Sequence, residues 1–337
     1  PILPSNMRRP VLSVCLLNAI VPTAVAAPNS PADAVELEAV SVYGVAERAD
    51  GPVIGYRATR SMSATRTDAA LREVPQSITV VPRDVVEDTN ATRLREVLDY
   101  AGGVGSANNF GGQGLTTVTV RGFTTGEYYR NGFPINRGYP NAPDAYTLER
   151  LEVMRGPATT LYGRGDPGGT FNVVTKQPEA QASLSTGLQF DSHGMRRVTI
   201  DTTGPVDEQG QFTYRINALA EGGNTFRENV STERYAVAPV LTWQPSAATR
   251  ITLEADLMRN NHPLDRGLTN YPNQSKRASS SVNAWEAGTT NKLHNDNTVV
   301  QLRFEHALND DWKVAGGFQW LDGTLKGNAV EANALQS

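Results

Sequence analysis

The 337-residue sequence holds a single cysteine, Cys15. That excludes a disulfide framework, a thiolate metal site and a cysteine nucleophile from the body of the protein. Its four histidines, His193, His262, His294 and His306, lack metal-ligand spacing and read as loop or interface residues. Past the N-terminal segment no apolar run approaches the roughly 18 residues of a membrane helix. Long runs of one charge are missing too. The 31 basic and 35 acidic residues are interspersed to a net charge of −4, which excludes a nucleic-acid binder driven by bulk charge. No nucleophile–base pair or carboxylate pair stands out, which disfavours a hydrolase and leaves no resident cofactor to expect.

What is abundant is glycine, 30 residues of it, and a hydrophobic period of two. The densest stretch runs from Glu149 to Pro178. A strand carrying Leu151 and Val153, with Arg155 nominally on the same face, breaks at Gly156-Pro157. A short segment with Leu161 and Tyr162 follows, then glycines at 163, 165, 168 and 169, then a second strand with Phe171, Val173 and Val174. Four glycines so close together specify a tight path. Gly163-Arg164-Gly165-Asp166-Pro167-Gly168 matches G-x-G-x-x-G in letters only, because β-branched residues follow and Pro167 sits inside it. A P-loop fails for want of Lys-Ser or Lys-Thr.

Upstream, residues 71–104 read as strand, short helix, helix. Ile78 and Val80 share one strand face. Asn90 or Thr92 is placed to cap a helix whose Leu94, Val97, Leu98 and Ala101 form an apolar stripe, stopped by Gly102-Gly103. Residues 105–114 read as a loop, 118–123 as a strand ending in a bend, and 128–135 as a hairpin turning at Asn131-Gly132.

From Gln181 onward alternation dominates. Phe212, Tyr214, Ile216, Ala218 and Ala220 form one face, Ile251, Leu253, Ala255 and Leu257 another, and Val300, Leu302 and Phe304 a third. About seven strands of roughly ten residues are expected, a length suited to a membrane strand. Connections at 204–210, 245–249 and 309–311 are short. Those at 191–194, 222–231 and 261–297 are mostly longer, the one-sided loop pattern of an outer-membrane barrel. Trp243, Trp312 and Trp320 are expected near strand ends as an aromatic girdle.

The 149–178 segment, together with Val74-Pro75-Gln76-Ser77-Ile78, resembles the plug domain of TonB-dependent outer-membrane receptors of the ferric-siderophore branch. The likeness extends over roughly 37–322 and is strongest over 71–178. It implies an α+β plug domain (71–178) followed by an antiparallel transmembrane β-barrel of which 181–337 supplies the N-terminal part. Large barrels of this kind have 22 strands, so the chain reads as a partial sequence or a truncated product. Met7-Arg8-Arg9, an apolar core and Ala24-Val25-Ala26 read as a signal peptide over 7–26, hence export to the bacterial outer membrane. Valine within Leu12-Ser13-Val14-Cys15, and the early place of the cysteine, argue against lipidation. Residues 37–44 (Leu37, Glu38, Ala39, Val40, Ser41, Val42, Tyr43, Gly44) resemble a TonB box, a mobile strand that adds to the sheet of the TonB energy-coupling protein, and 45–70 reads as a flexible linker.

The resemblance further implies a ferric siderophore as cargo, with iron carried as the chelate, outer-membrane lipid around the barrel, and no enzymatic activity. Asn108, Phe110, Arg121, Tyr128, Asn136, Tyr139 and Tyr146 become candidates for cargo contact, Arg121 and Tyr146 foremost, through aromatic stacking and charge-assisted hydrogen bonds. Arg155 and Arg121 become candidates for a plug–barrel lock with barrel glutamates. Rival readings are the same architecture with cobalamin, haem, another metal chelate or a glycan, or a non-transporting outer-membrane protein.

Overall fold

The computed structural model describes residues 47–49, 51–106, 118–125, 128–135, 144–163, 165–263, 265 and 292–328. The chain separates into two units, Pro1–Val45 and Ala46–Ser337, and every described residue belongs to the second. The signal-peptide and TonB-box expectations therefore lie outside the described residues.

The first part of that unit is an α+β domain. Its elements are β1 (Arg60–Ser61), β2 (Ala69–Ala70), β3 (Ser77–Pro82), α1 (Arg83–Asp88), α2 (Leu94–Leu98), β4 (Val104–Ser106), β5 (Val118–Val120), β6 (Phe123–Thr125), β7 (Tyr128–Arg130), β8 (Phe133–Pro134), β9 (Leu148–Arg155), α3 (Thr159–Tyr162) and β10 (Gly169–Thr175). The central sheet runs β3-β9-β10-β7-β8, antiparallel except for the β10–β7 pair, and β4-β5-β6 form a second, smaller sheet. The apolar stripe of α2 is wholly buried and packs with Leu151, Val153, Phe171 and Val173 into one core.

Two local expectations need correcting. Neither the Asn90 nor the Thr92 side chain caps α2. Arg93 takes the N-cap position, and the Glu96 carboxylate reaches back to accept the backbone N–H groups of Thr92 and Arg93 at 2.6 and 3.1 Å. The stretch 118–123 is a hairpin rather than a strand ending in a bend. Arg121 and Gly122 both have positive φ, 52° and 83°, so β5 turns directly into β6. Asn131-Gly132 makes the same kind of turn between β7 and β8.

Strand β9 is buried on both faces, including Arg150 and Glu152. Its apolar face meets the helices. Its polar face is covered by the segment expected to be a flexible linker, which is fastened along much of its length. The Ser61 hydroxyl donates to Glu152 at 2.8 Å, the Ser63 hydroxyl donates to the same carboxylate, and Arg150 pairs with Glu152 at 3.0 Å. Asp68 accepts the Ala49 N–H, and the Arg66 guanidinium lies 4.5 Å over the Tyr162 ring. The charge on Glu152 could not stay buried without these donors.

The second part is a seven-stranded antiparallel meander: β11 (Ser183–Phe190), β12 (Arg196–Pro205), β13 (Phe212–Asn224), β14 (Ser231–Ser246), β15 (Thr249–His262), β16 (Leu293–Ala307) and β17 (Lys313–Gly327). The last five span 13 to 16 residues, longer than the ten expected. Their alternation is inside out by the standard of a water-soluble sheet. Leu241, Leu253, Leu257, Leu302 and Phe318 are exposed, while Arg197, Arg215, Glu221, Arg234, Glu254 and Gln301 are buried against the α+β domain. Trp243 stacks on Phe212 at 5.7 Å near the short-connection end. Trp320 is not near a strand end; it sits in the middle of β17 opposite Val300.

The glycines after α3 do not all serve turns. Gly163 has φ +70°, but a Cβ on Gly168 or Gly169 would lie 2.7 Å from the Val120 carbonyl or 2.6 Å from the Met154 carbonyl. There glycine is required by the approach of neighbouring backbone. Gly169→Ala is expected to destabilise the protein by about 1–3 kcal/mol through forced separation of β9 and β10. Gly316→Ala, with open space around its Cβ position, should fall within about 0.5 kcal/mol of the parent. Thermal unfolding of the detergent-solubilised protein compares the two.

Candidate functional site

The buried face of the meander is organised in rows by its register. Arg197, Glu221 and Arg234 are cross-strand neighbours, as are Val240, Glu254, Gln301 and Gln319 farther along. Between these charged rows lies an apolar patch of Leu219, Ala236, Ala238 and Met258. The α+β domain meets each feature with a matching group.

At the first row the hub is Asp144, which caps the 3-10 turn Ala145–Thr147 before β9. Arg197 reaches it at 3.0 Å, Arg234 at 2.5 Å and Arg93 at 3.6 Å, and Arg93 and Arg197 also bind Glu221. Three arginines thus share two carboxylates, all buried or nearly so. Burial pushes the Asp144 carboxyl up, but Arg234, Arg197 and Arg93 outweigh it and hold the group well below the usual carboxylate range.

On the apolar patch stands Tyr146, whose backbone N–H is accepted by Asp144 at 2.8 Å and whose hydroxyl donates to Asp256 at 2.8 Å. The second row holds Arg130. Its guanidinium binds Glu254 at 2.6 Å and Asp256 at 2.5 Å, and the Asn131 amide donates to Glu254 and Gln301 at 3.0 and 3.1 Å. Arg303 and Thr175 complete the Glu254 shell at 3.2 and 3.0 Å. Lys176 and Arg215 both bind Asp201 nearer β12.

The structure distributes the expected site residues unevenly. Tyr146 is in the seam between domain and sheet, buried, and occupied with Asp256. Tyr128 is buried too, stacked on Phe171 at 5.1 Å. Arg121 is exposed at the tip of the β5–β6 hairpin. Asn108, Phe110, Asn136 and Tyr139 lie outside the described residues. Arg155 does not reach a sheet glutamate among the described residues. It donates to Thr79 Oγ1 at 2.8 Å, to Ser77 Oγ, and to the Ala101 and Gly102 carbonyls, closing the end of α2 onto β3 and β9.

The groups that join domain to sheet are instead Arg93, Arg130, Asn131, Asp144 and Tyr146 on one side and Arg197, Glu221, Arg234, Glu254 and Asp256 on the other. The available signal was the strand period. Where a strand's opposite face is apolar and lipid-facing, Arg and Glu point inward, and charges that stand outside, as at Arg259, lie toward the strand ends. Among the described residues no group of three or more His, Cys, Asp or Glu side chains is placed to hold a metal ion.

Comparisons with known proteins place this geometry. The family model described as TonB-dependent Receptor Plug Domain matches residues 70–170. The chain is 43% identical over 307 residues to the metal-pseudopaline receptor CntO of Pseudomonas aeruginosa, covering 91% of this chain and 43% of that one. It is 28% identical over 297 residues to the ferrichrome outer membrane transporter/phage receptor of Escherichia coli, covering 84% and 39%. It thus spans about two-fifths of the length of these curated relatives. Among solved structures, Pseudomonas aeruginosa FpvA bound to heterologous pyoverdines shares the fold with a TM-score of 0.74 at 22% identity, covering 83% of this chain and 38% of that one.

Two predictions rest on the seam. Arg130→Ala leaves Glu254 and Asp256 buried without their main counter-charge and is expected to cost about 3–5 kcal/mol. Arg259→Ala removes an exposed pair with Asp296 and should cost under about 1 kcal/mol; thermal unfolding reads both. For Asp144 the folded pKa lies below the unfolded one. Its stabilisation is therefore complete above the usual carboxylate range and is lost as pH falls through the folded value. Asp144→Asn should melt below the parent at neutral pH, and the gap should close in strong acid.

Proposed function

The chain belongs to the TonB-dependent receptor family, with its plug domain at residues 70–170, and from that premise we propose that the complete protein is an outer-membrane receptor that binds a metal-loaded siderophore and imports it with energy supplied through TonB. The observation that carries this reading is the seam. A lipid-compatible sheet turns its charged face inward and grips the plug through buried ion pairs at Asp144 and at Arg130. Such a plug obstructs the lumen while remaining attached by contacts that water can replace.

Cargo would meet the plug at its loop ends. Arg121, exposed at a hairpin tip, remains a fitting donor to an anionic chelate, and Asn108, Phe110, Asn136 and Tyr139 remain proposed contacts. Tyr146 has a different proposed part. Its hydroxyl is engaged by Asp256 and its N–H by Asp144, so it anchors the turn before β9 to the barrel wall instead of offering itself to cargo. Residues 37–43 are the proposed strand for TonB to capture.

Iron(III) is the first metal to test. The 43% identity to a receptor named for metal-pseudopaline favours a second reading, in which the chelate carries another metal. Deleting residues 37–44 from the full-length receptor is expected to abolish uptake of radiolabelled chelate by metal-starved cells while leaving binding to those cells unchanged. Undiminished uptake would overturn the transport reading. Parallel uptake of iron(III) and divalent-metal chelates decides between the two cargoes.

A further inference from the structure

Near the short connection between β16 and β17 a cavity of about 330 Å³ lies where three parts of the chain meet. Met62, Ser63 and Arg66 of the segment that covers β9 form one side. The Asn131-Gly132 turn, Phe133 and Tyr162 form a second, and Arg303, Glu305 and Ala315 of the wall form the third. That size falls at the lower end of small-molecule sites, roughly 300–1,000 Å³, whose linings are mostly apolar with a few placed polar groups. Met62, Phe133, Tyr162, Val174 and Ala315 supply the apolar surface here.

The charge that matters is Arg66, and several features fix it. Its φ is 60°, a left-handed conformation uncommon outside glycine, and its N–H closes a turn on the Met62 carbonyl at 2.8 Å. That turn lays the guanidinium 4.5 Å over the Tyr162 ring, while Nη2 donates to the Gly132 carbonyl at 3.0 Å. A Cβ on Gly132 would collide with Nη1, so the glycine also admits the arginine. Tyr162 is held in turn. The Tyr129 ring meets it edge-on at 4.4 Å, and the Tyr129 hydroxyl donates to its carbonyl at 3.0 Å. Among the described residues no carboxylate pairs with Arg66. The other charges of the cavity are matched, Arg303 by Glu254 at 3.2 Å and Glu305 by Lys313 at 2.6 Å. A guanidinium carries five N–H donors, so most of a preset edge is left beside an apolar, aromatic wall.

We propose that this cavity is a binding site for a small aromatic anion, its ring against Met62 and Phe133 and its charge on Arg66, and that an occupant fastens the 62–66 turn to the hairpin and the wall. A ring with one negative charge matches what the lining offers, apolar surface and one uncompensated cation. A neutral ring would leave Arg66 unused, and an inorganic anion would leave the apolar wall uncovered. Arg121, the foremost cargo contact proposed above, does not line this cavity, and the site does not depend on the transport reading.

Isothermal titration of the detergent-solubilised full-length receptor tests it, with naphthalene-2-sulfonate as probe and uncharged naphthalene-2-sulfonamide as its counterpart. One equivalent of sulfonate is expected to bind, about tenfold or more tightly than the sulfonamide, as one charge-assisted hydrogen bond warrants. Arg66→Gln should erase that preference. Ala315→Trp, which fills the cavity from the wall, should abolish binding of both. Met62→Trp fills it from the opposite side and gives the same reading if the wall variant does not fold. Arg259→Gln, at an exposed ion pair elsewhere, should bind as the parent does. Saturating sulfonate should also slow amide hydrogen exchange at Arg66, whose N–H closes the turn. No binding by about 1 mM, equal affinity for the two probes, or binding that survives both Arg66→Gln and the filling variants overturns the site. Binding as expected with exchange at Arg66 unchanged overturns the fastening.

Discussion

Along the lipid-facing middle of a strand, charge is accommodated on the other face. In β12 to β16 that constraint sends Arg197, Arg215, Glu221, Arg234, Glu254 and Asp256 to the inner wall, and everything docked there must satisfy them. The plug is built to do so. Asp144 collects three arginines, Arg130 spans two carboxylates, and Tyr146 covers the apolar patch of Leu219, Ala236, Ala238 and Met258 while placing its hydroxyl on Asp256. Exposed leucines and phenylalanines outside and buried ion pairs inside are two results of one rule.

Much of this was legible from the residues because it depends on local periodicity. The seven strands, the α2 stripe and the Asn131-Gly132 hairpin follow from spacings of two, of three to four, and from a turn dipeptide. The barrel reading needed the connections as well as the alternation, short on one side and mostly longer on the other. What escaped was whatever depends on distant neighbours. Arg121 looked like the end of a strand because non-glycine residues with positive φ are uncommon, yet Gly122 after it makes the paired turn possible. Gly168 and Gly169 looked like turn residues, whereas the carbonyls of Val120 and Met154 exclude a side chain there.

The same limit explains Arg155 and the segment before β3. An arginine at a strand end has no sequence signal that distinguishes plug carbonyls from a barrel carboxylate; Arg155 takes the former because Gly102 and Gly103 bring the end of α2 to it. Residues 51–67 have the composition of a linker, rich in Gly, Ser, Thr and Arg. Their order comes from partners nearly a hundred positions away, chiefly Glu152. Tyr146 packs over Leu219 and Met258, a place that only the meander's register reveals.

The ion pairs that join plug and wall among the described residues have a thermal consequence. Release of oily surface carries a large heat-capacity change and makes association weaken on cooling. Parting guanidinium–carboxylate pairs exposes less such surface than parting an apolar face of equal area. That part of the grip on the wall should therefore weaken less on cooling than an apolar junction of equal area would.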